Sequence, residues 1–464
     1  MTKLFKLKLI ALAISSTLIT ACGDAETNIV EKDPIEVPDD GHDHDDGGDH
    51  GDEYTIDSLG RLAILAGDSN EANFFDLDDN ELLDTFTLTN DSNTLSSSPD
   101  FRYAVIASRA QDYLGFIDSG LWREDHGAHL HDYEQSPEFS SYELTSGSRP
   151  THLVKHDGKL AVFYDGDAAS GTTASVEVLT DNDITNATAT LPGISYDINM
   201  HGVAEPHGEH LLATIRRDDA ESTSNAKILP DQVGVYHFHD GEYELEQTLE
   251  LTCPDLHGAA QNHDYVAFGC SDGVLLAHQH DDEYHAEKVI NIAAVGDLRI
   301  GSIYGHEGSE TFIGVASGHG GPAVIVSINP AKAEMEEFEW QLADGASAVS
   351  YSFSANGEHF LVLDSLGFLN VLEAHAHDDH IHWELAGQVD ITQEDVTTMP
   401  EGMKFSMTVA QNGQFAYVAD PIAQHVVQVH LEDLEIEGEL ELTFPPAAIT
   451  WLGIAQEEEH DHVH

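Results

Sequence analysis

Histidine and aspartate recur together in this chain, in short tracts whose side chains could bind a transition metal. The 464 residues include 30 histidines but only 18 lysines and arginines. The tracts are GHDHDDGGDHGDE (41–53), EDHGAHLHD (124–132), HQHDDEYH (278–285), HAHDDHIH (375–382) and EHDHVH (459–464). Neutral imidazole and carboxylate are the ligands that Zn²⁺ and its neighbours in the transition series take up. The composition therefore predicts a protein that holds or moves a metal ion.

A repeating pattern of strands must position these side chains. Units made of a strand, a tight turn and a second strand recur along the chain, with Asp-Gly and Asn-Gly among the turns. They occupy 94–109, 151–166, 200–215, 256–273, 300–318, 348–365 and 405–420. Each is followed by residues for two more strands, and four strands in roughly 40–50 residues are typical of a propeller blade. We predict an all-β fold, a β-propeller of eight blades, with seven blades as the alternative.

The two ends of the repeat region supply strands for one shared blade. Apolar runs lie at 61–68, 73–77 and 82–88, and a fourth run lies at 445–455. If these four strands form one sheet, the ring closes and no sheet edge is left open at the junction. We therefore predict a propeller domain over 55–457, followed by a His-rich C-terminal tail over 458–464.

Three histidines occupy the same place in three successive repeats. His152, His201 and His257 stand at the start of the first strand of their units. The first strand of each propeller blade lines the central channel, so equivalent positions on neighbouring blades converge at one mouth of it. Three imidazoles need one carboxylate, imidazole or water to complete a tetrahedral zinc site. The alternative is that each histidine lines the channel and is hydrogen-bonded to backbone or water.

The tract at 124–132 offers a second set of ligands. His126 and His129 are close enough in sequence to chelate one ion, and Asp125 or Asp132 could orient an imidazole. Because the stretch contains glycine and is polar, we predict a loop. An exposed polar loop without metal is the alternative.

A carboxylate near the His152 repeat could complete the zinc site. Asp165-Gly166-Asp167 ends the second strand of that unit, and we predict Asp167 as the oxygen ligand, with Asp165 as the other candidate. An Asp-Gly turn formed for backbone reasons explains the same residues equally well. The histidines in the hairpin turns are interpreted mainly as surface residues; they are His156, His207 and His263.

The N-terminus has the features of a lipoprotein signal. Three lysines precede a short apolar run that ends in Ile19-Thr20-Ala21-Cys22. We predict a signal peptide over 1–21, lipidation of Cys22, and a periplasmic protein anchored to the outer rather than to the inner membrane. The alternative is an ordinary signal peptide with an incidental cysteine.

The residues after the lipidation site contain almost no apolar side chains. Because residues 22–54 cannot bury a core, we predict a disordered, acidic tether. Its histidines His42, His44 and His50 are predicted to capture metal while mobile. The tracts at 278–285, 375–382 and 460–464 are likewise interpreted as mobile segments that bind zinc weakly and exchange it fast.

The charge balance excludes some partners. With 85 acidic and 18 basic residues the formal net charge is −67, which excludes nucleic acid and leaves only the lipid to contact a membrane. Apart from Cys22, the cysteines are Cys253 and Cys270, which flank one hairpin. In an oxidising compartment they are predicted to form a disulfide, with thiolate metal ligation as the alternative.

The sequence lacks two common signatures of metal enzymes and cytochromes. Neither HExxH nor the haem motif CxxCH occurs in it. We therefore predict a binding protein rather than an enzyme, and a monomer. The alternative function is a metal-dependent propeller hydrolase in which the channel histidines hold a catalytic ion.

Several strings resemble a known family, the AztD-type periplasmic zinc metallochaperones. They are WREDHGAH (122–129), RPTHLVKHDGKLAVFYDGD (149–167), HGVAEPHGEHLL (201–212) and CPDLHGAAQNHDYVAFGCSDGVLL (253–276). The resemblance implies a secreted β-propeller that binds Zn²⁺ and passes it to the solute-binding protein of a zinc ABC importer. It also adds weight to the histidines already singled out: His126, His129, His152, His201, His257, His42, His44 and His50. The lipidation motif, the long acidic tether and the tracts at 278–285 and 375–382 depart from that family.

Overall fold

The structure is a computed structural model of the whole chain. It describes residues 29–36, 56–127, 129–217, 228–281, 283–318, 323–377 and 380–456. Outside these residues lie the predicted signal peptide, Cys22, His42, His44, His50 and the tail 458–464. Among the described residues, no helix has both the length and the apolar character needed to cross a membrane.

Short β-strands account for almost all regular structure in the described residues. The first eleven are β1 Val30–Glu31, β2 Ile35–Glu36, β3 Arg61–Ala66, β4 Glu71–Asp76, β5 Leu82–Thr87, β6 Thr94–Ser97, β7 Tyr103–Ser108, β8 Tyr113–Asp118, β9 Leu121–Asp125, β10 His129–Glu134 and β11 Glu138–Leu144. The next twelve are β12 Pro150–His156, β13 Lys159–Tyr164, β14 Ser175–Leu179, β15 Gly193–Ser195, β16 Ala204–His207, β17 His210–Ile215, β18 Gln232–His239, β19 Glu242–Thr248, β20 Ala259–Gln261, β21 Tyr265–Gly269, β22 Gly273–His280 and β23 Glu283–Ile290.

The remaining strands continue the same pattern to the C-terminus. They are β24 Arg299–Tyr304, β25 Phe312–Ser317, β26 Val324–Asn329, β27 Glu334–Glu337, β28 Ala348–Phe353, β29 His359–Asp364, β30 Phe368–His377, β31 His380–Asp390, β32 Ser406–Val409, β33 Phe415–Asp420, β34 His425–His430, β35 Glu435–Glu441 and β36 Pro446–Leu452. The helical segments in the described part of the chain are one α-helix, α1 Asp181–Asn186, and two 3₁₀ turns at Arg109–Gln111 and Val396–Thr398. Helix α1 begins with a capping box formed by Thr180 and Asp183.

These strands form four-stranded antiparallel sheets that follow one another along the described chain. Sheet 1 has the order β36-β3-β4-β5 and sheet 2 the order β6-β7-β8-β11. Sheets 3 to 8 take four consecutive strands each, from β12–β15 through to β32–β35. The predicted all-β fold is therefore confirmed, with the four-stranded sheets that a propeller requires.

The core lies between the sheets because the two middle strands of each sheet are largely buried on both faces. Side chains alternate along a strand, so Leu62 and Ile64 of β3 pack toward sheet 8 while Ala63 and Leu65 pack toward sheet 2. Eight clusters of buried apolar side chains are arranged in this way among the described residues, one at each junction of consecutive sheets. The junction of sheet 8 with sheet 1 is among them, and β36 pairs with β3 from Leu452 opposite Arg61 to Pro446 opposite Ala66.

One hairpin departs from the four-stranded pattern. Strands β9 and β10 are inserted between β8 and β11 of sheet 2 and pair with each other. The N-terminal strands β1 and β2 add to the free side of β10, so the prediction of disorder over 22–54 is wrong for these two strands. The residues 124–132, predicted as a loop, therefore form the end of a small separate sheet.

Two of the His-rich tracts also lie on paired strands. In the β22–β23 hairpin His278 is opposite His285, and in the β30–β31 hairpin His375 is opposite His382. The interpretation of these two tracts as mobile segments is therefore wrong for the described residues. Alternating histidines in a strand share one face, so cross-strand pairing holds them side by side.

Candidate metal centre

Three imidazoles meet where the first strands of sheets 3, 4 and 5 begin. His152 lies in β12, His201 stands shortly before β16, and His257 stands shortly before β20. Their ring centroids are 4.9 Å (152–201), 5.0 Å (201–257) and 5.5 Å (152–257) apart. One ligand nitrogen from each lies within 4.8 Å of the others. We call these three residues the inner cluster.

Hydrogen bonds on the far side of two rings fix which nitrogens face the cluster. The Nδ1 of His201 lies 3.1 Å from Asp165 Oδ1, and the Nδ1 of His257 lies 2.9 Å from the carbonyl oxygen of Gly301. Each Nδ1–H donates to an oxygen, so the lone pair of each neutral ring is at Nε2. A metal-binding histidine ordinarily has such a partner, which sets its tautomer and orientation.

The buried carboxylate of Asp165 is itself held in place. Arg109 Nη2 lies 2.8 Å from Asp165 Oδ2, and the Asp165 side chain is only 3% exposed. The guanidinium of Arg109 also donates to Thr151 Oγ1 at 3.0 Å. The register shift between Pro150 and His152 is a bulge that re-aims the strand at this point. Arg109 thus connects sheet 2 to both the bulge and the partner of His201.

The spacing of the nitrogens fits a zinc ion. The Nε2 atoms of His152 and His201 are 3.2 Å apart. Two nitrogens at Zn–N distances of about 2.0–2.1 Å in a tetrahedron are about 3.3 Å apart. His152 and His201 therefore already have the spacing of two zinc ligands, and His257 offers a third nitrogen within 4.8 Å of theirs.

Burial favours the neutral form of two histidines of the inner cluster. Desolvation, together with the neighbouring His201 and His257, lowers the pKa of His152 to about 4. Desolvation also lowers the pKa of His257. Because a metal binds the neutral imidazole, both shifts favour ligation over protonation at neutral pH.

Glycines beside two of these histidines allow the close approach. A Cβ on Gly202 would lie 2.2 Å from Thr214 Oγ1 and 2.5 Å from the Phe163 ring. A Cβ on Gly258 would lie 2.7 Å from the carbonyl oxygen of Gly301, the group that orients His257. The His-Gly pairs in the sequence are thus part of how neighbouring sheets bring the imidazoles together.

A second group of imidazoles lies on the β9–β10 hairpin. The rings of His126, His129 and His131 have centroids 4.8–5.5 Å apart in all three pairs. The His126 side chain is 43% exposed, whereas that of His131 is 12% exposed. We call these three residues the outer cluster. His129 and His131 alternate along β10, so they lie on the same face of the strand.

The N-terminal segment contributes to the outer cluster. Glu31 Oε1 of β1 lies 3.1 Å from His131 Nδ1, and Lys32 forms an ion pair of 2.7 Å with Glu134. The carboxylates predicted to orient these imidazoles have other partners: Asp125 accepts from the N–H of Gly127, and Asp132 pairs with Arg123. Glu31 takes the role predicted for them.

The structure does not bring Asp167 to the inner cluster. Its Oδ2 lies 3.1 Å from Arg149 Nη2, and its Oδ1 accepts from the N–H of Ala169 in a turn. Asp165, the other candidate, is the carboxylate at the cluster, but it contacts His201 rather than completing the ligand set. The turn explanation of Asp-Gly-Asp is thus the one that suits Asp167.

The structure also defines the surroundings of the two remaining cysteines and of His156. Cys253 and Cys270 form a disulfide with their Cα atoms 5.0 Å apart. His156 is not a surface residue: its side chain is 15% exposed and pairs with Asp157 and Glu307. Burial alone would lower its pKa, but these two carboxylates raise the pKa of His156 to about 9. A protonated imidazole offers no lone pair, so His156 is a structural cation as it stands.

Sequence reasoning missed three contributors to these clusters. His131 lies within a quoted tract, and its alternation with His129 was the available signal. Glu31 stands far from the tract in sequence, so only strand pairing reveals it. Gly301 contributes a backbone oxygen, which no residue pattern identifies.

Known proteins resemble this chain both in sequence and in fold. No family model matches the chain. The zinc chaperone AztD of Citrobacter koseri is 23% identical over 422 residues, covering 87% of this chain and 89% of that protein.

Solved structures of the same protein superpose on most of this chain. The crystal structure of Citrobacter koseri AztD has a TM-score of 0.69 at 22% identity, and its apo form has 0.67 at 21%; each comparison covers 86% of this chain and 99% of the other. The dihydro-heme d1 dehydrogenase NirN is more distant, with a TM-score of 0.54 at 11% identity over 85% of this chain and 76% of its own. The predicted resemblance of this chain to the AztD-type zinc chaperones is therefore confirmed over most of its length.

Proposed function

We propose that the chain is a zinc metallochaperone of the periplasm, anchored by a lipid at Cys22. The observation that carries this proposal is the inner cluster, in which three imidazoles converge with two of their tautomers set by Asp165 and Gly301. The likeness to a protein named as a zinc chaperone agrees with it. The net charge of −67 adds a diffuse field that attracts cations.

We propose further that sheets 1 to 8 are the blades of a closed, eight-bladed propeller over 55–457. In support, every junction of consecutive sheets contains an apolar cluster, and β36 completes sheet 1 beside β3. The first strands β12, β16 and β20 contact one another in turn. In a closed ring these strands line the axis, so the inner cluster would lie at one mouth of the central channel.

Zinc is the cargo, and the two clusters have different roles in handling it. The predicted tether, with His42, His44 and His50, and the outer cluster collect the ion. The inner cluster, including His152, His201 and His257, then holds it. Three protein ligands leave one position open, through which an acceptor side chain can bind before an imidazole leaves. A site with four protein ligands would hold zinc but release it slowly.

The acceptor is the solute-binding protein of a zinc ABC importer, and the chaperone works as a monomer. Anchoring by one lipid through the segment 22–54 would allow the propeller to reach a periplasmic partner. We propose that the chain is not an enzyme, since the carboxylate beside the inner cluster, Asp165, is bonded to His201 and Arg109 rather than free to act as a base.

A transfer experiment tests this function. Zinc-loaded protein is mixed with the apo form of such a solute-binding protein in the presence of excess chelator, and acceptor loading is followed over time. The proposal expects loading faster than the rate at which zinc dissociates from the chaperone alone. Loading limited by free dissociation, or turnover of ester or phosphoester substrates that requires the inner cluster, would refute it; the latter result would favour the hydrolase.

A further inference from the structure

Sheet 8 carries a group of possible metal ligands remote in sequence from every His-rich tract. His425 begins β34, and Glu439 and Glu441 lie on the neighbouring strand β35, with Glu441 directly opposite His425. One ligand atom from each of the three lies within 4.8 Å of the others. Alternate positions on a strand share a face, so both carboxylates project on the side of His425.

Acidic side chains near a histidine do not by themselves make a metal site on a surface as acidic as this one. A second observation comes from beneath the group. Asp420 is completely buried, and its Oδ2 has no hydrogen-bond partner among the described residues. The Nε2 of His425 is also buried without a partner there, and it lies 3.9 Å from that oxygen.

Two buried polar atoms that face each other without a hydrogen bond lower the stability of the fold, unless a further group brings them into hydrogen-bonding distance. The other oxygen of Asp420 is fully used, since it accepts from the N–H groups of Ile422 and Ala423. With its proton at Nε2, beside Asp420, neutral His425 has its lone pair at Nδ1. A bound ion would hold the ring in this tautomer and draw Nε2–H toward the carboxylate, as in carboxylate–histidine–metal arrangements.

The inner cluster contains the same arrangement in an earlier sheet. Asp165 directly follows β13, the second strand of sheet 3, and Asp420 ends β33, the second strand of sheet 8. In both places a buried aspartate stands beside one nitrogen of an imidazole, at 3.1 Å from His201 and at 3.9 Å from His425. The two sites differ in that sheet 8 adds two carboxylates rather than two further imidazoles.

We propose that His425, Glu439 and Glu441 form a separate binding site for a divalent transition-metal ion, with Asp420 as the residue that positions His425. One imidazole and two carboxylates suit zinc, and the histidine disfavours calcium and magnesium. The exposed carboxylates and the single imidazole make this a weaker site than the inner cluster. It concerns binding alone and does not rest on the proposed function.

Sheet 8 also supplies a matched control at the other end of the same strand pair. His430, Asp433 and Glu437 have ligand atoms within 4.8 Å of one another. However, the N–H of Asp433 donates to His430 Nδ1 at 3.3 Å. In the neutral ring that nitrogen carries the lone pair, which the backbone therefore occupies. The control group has a similar composition and charge but no free imidazole lone pair.

The test is equilibrium dialysis of the full chain against zinc at a buffered free concentration, with bound metal counted per chain. The Glu439→Gln/Glu441→Gln variant is expected to bind one ion fewer than the wild type, and the Asp433→Asn/Glu437→Gln variant the same number. Both variants remove two exposed negative charges. Equal binding by all three proteins, or an equal loss in both variants, would overturn the proposed site.

The role of Asp420 has its own test. An Asp420→Asn chain keeps a carbonyl oxygen for the turn and is expected to bind this ion about 10- to 100-fold more weakly. The melting temperature measured with chelator reports any structural effect separately from zinc affinity. Unchanged zinc affinity at this site in Asp420→Asn would refute the positioning role, and calcium displacing zinc at equal concentration would refute the assigned class of ion.

Discussion

The inner and outer clusters each bring three imidazoles together, yet they are constructed differently. In the inner cluster the rings come from three sheets, and two are oriented by a buried carboxylate and a backbone oxygen. In the outer cluster all three rings come from one hairpin, and the nearby Glu31 is 59% exposed. In the first arrangement buried partners hold two of the rings, whereas in the second the carboxylate beside His131 is exposed, so metal binding there has more side-chain conformational entropy to remove. The difference teaches that the number of histidines alone does not set affinity.

The largest expected effect is the loss of one inner ligand. His201→Ala should weaken the tightest zinc site by more than about 100-fold, because loss of a ligand exceeds the 10- to 100-fold cost of losing its supporting partner. Competition with a chromophoric chelator measures this affinity. His126→Ala is the matched change in the outer cluster and should leave the tightest site unaltered; similar losses in both variants would remove the distinction between the clusters.

The next largest effect is expected in the pH dependence of the free energy of unfolding. The pKa of His152 is about 4 in the folded protein, below its ordinary value near 6.5. The unfolded chain therefore binds a proton at His152 more readily than the folded chain does. The contribution of neutral His152 to folding stability is thus complete above about pH 6.5 and is lost as the pH falls toward about 4. Because of His152, the free energy of unfolding of the metal-free protein should fall by about 2 kcal/mol from about pH 7 to about pH 5.

Urea unfolding in chelator at those two pH values measures the effect. His152→Gln should flatten the dependence by a similar amount. His156 serves as an internal check of opposite sign, because its pKa of about 9 makes its contribution complete below about pH 6.5 and lost as the pH rises through about 9. A His152→Gln protein with the wild-type pH dependence would contradict the burial argument.

Removal of the supporting carboxylate tests pre-orientation itself. Asp165→Asn should weaken zinc binding by about 10- to 100-fold while retaining all three imidazoles. Asp364 ends the second strand of sheet 7 and contacts Asn370 rather than a histidine, so Asp364→Asn is the control. If both substitutions leave zinc affinity unchanged, the inner cluster does not depend on its orienting partners.

The smallest effect is expected in the outer cluster. His131→Ala should lower the affinity of the weaker zinc site by about tenfold, or 1.4 kcal/mol. Glu31→Gln, on the docked N-terminal segment, should have a smaller effect of the same sign. Isothermal titration of protein whose inner cluster is already occupied compares the wild type and the variants at the remaining, weaker sites. An effect on the first ion rather than the second would show that the two clusters share one ion.

Much of the strand and sheet organisation was predictable from the sequence because it is periodic. Strand alternation and turn residues recur along the chain, so the all-β class and the four-stranded units follow from the sequence. The same periodicity aligns His152, His201 and His257, which the structure brings together. Position within a repeat is thus a reliable guide to position in the fold.

What the sequence could not settle depends on contacts between distant residues. Choosing between Asp165 and Asp167 required knowing that the first is buried beside Arg109 and His201, while the second pairs with Arg149 in a turn. Glu31 reaches His131 only because β1 pairs with β10. The His425 group has no tract to mark it, since its ligands come from two strands and its partner Asp420 from a third.

Competitive zinc titration of three proteins tests the central claim most directly: the wild type, a His152→Ala/His201→Ala/His257→Ala variant, and a His126→Ala/His129→Ala/His131→Ala variant. The chelator is chosen to outcompete the tether and the outer cluster but not the inner one. We predict one ion held against it by the wild type and by the outer variant, and none by the inner variant. Retention of that ion by the inner variant would contradict the assignment of the inner cluster as the principal zinc site.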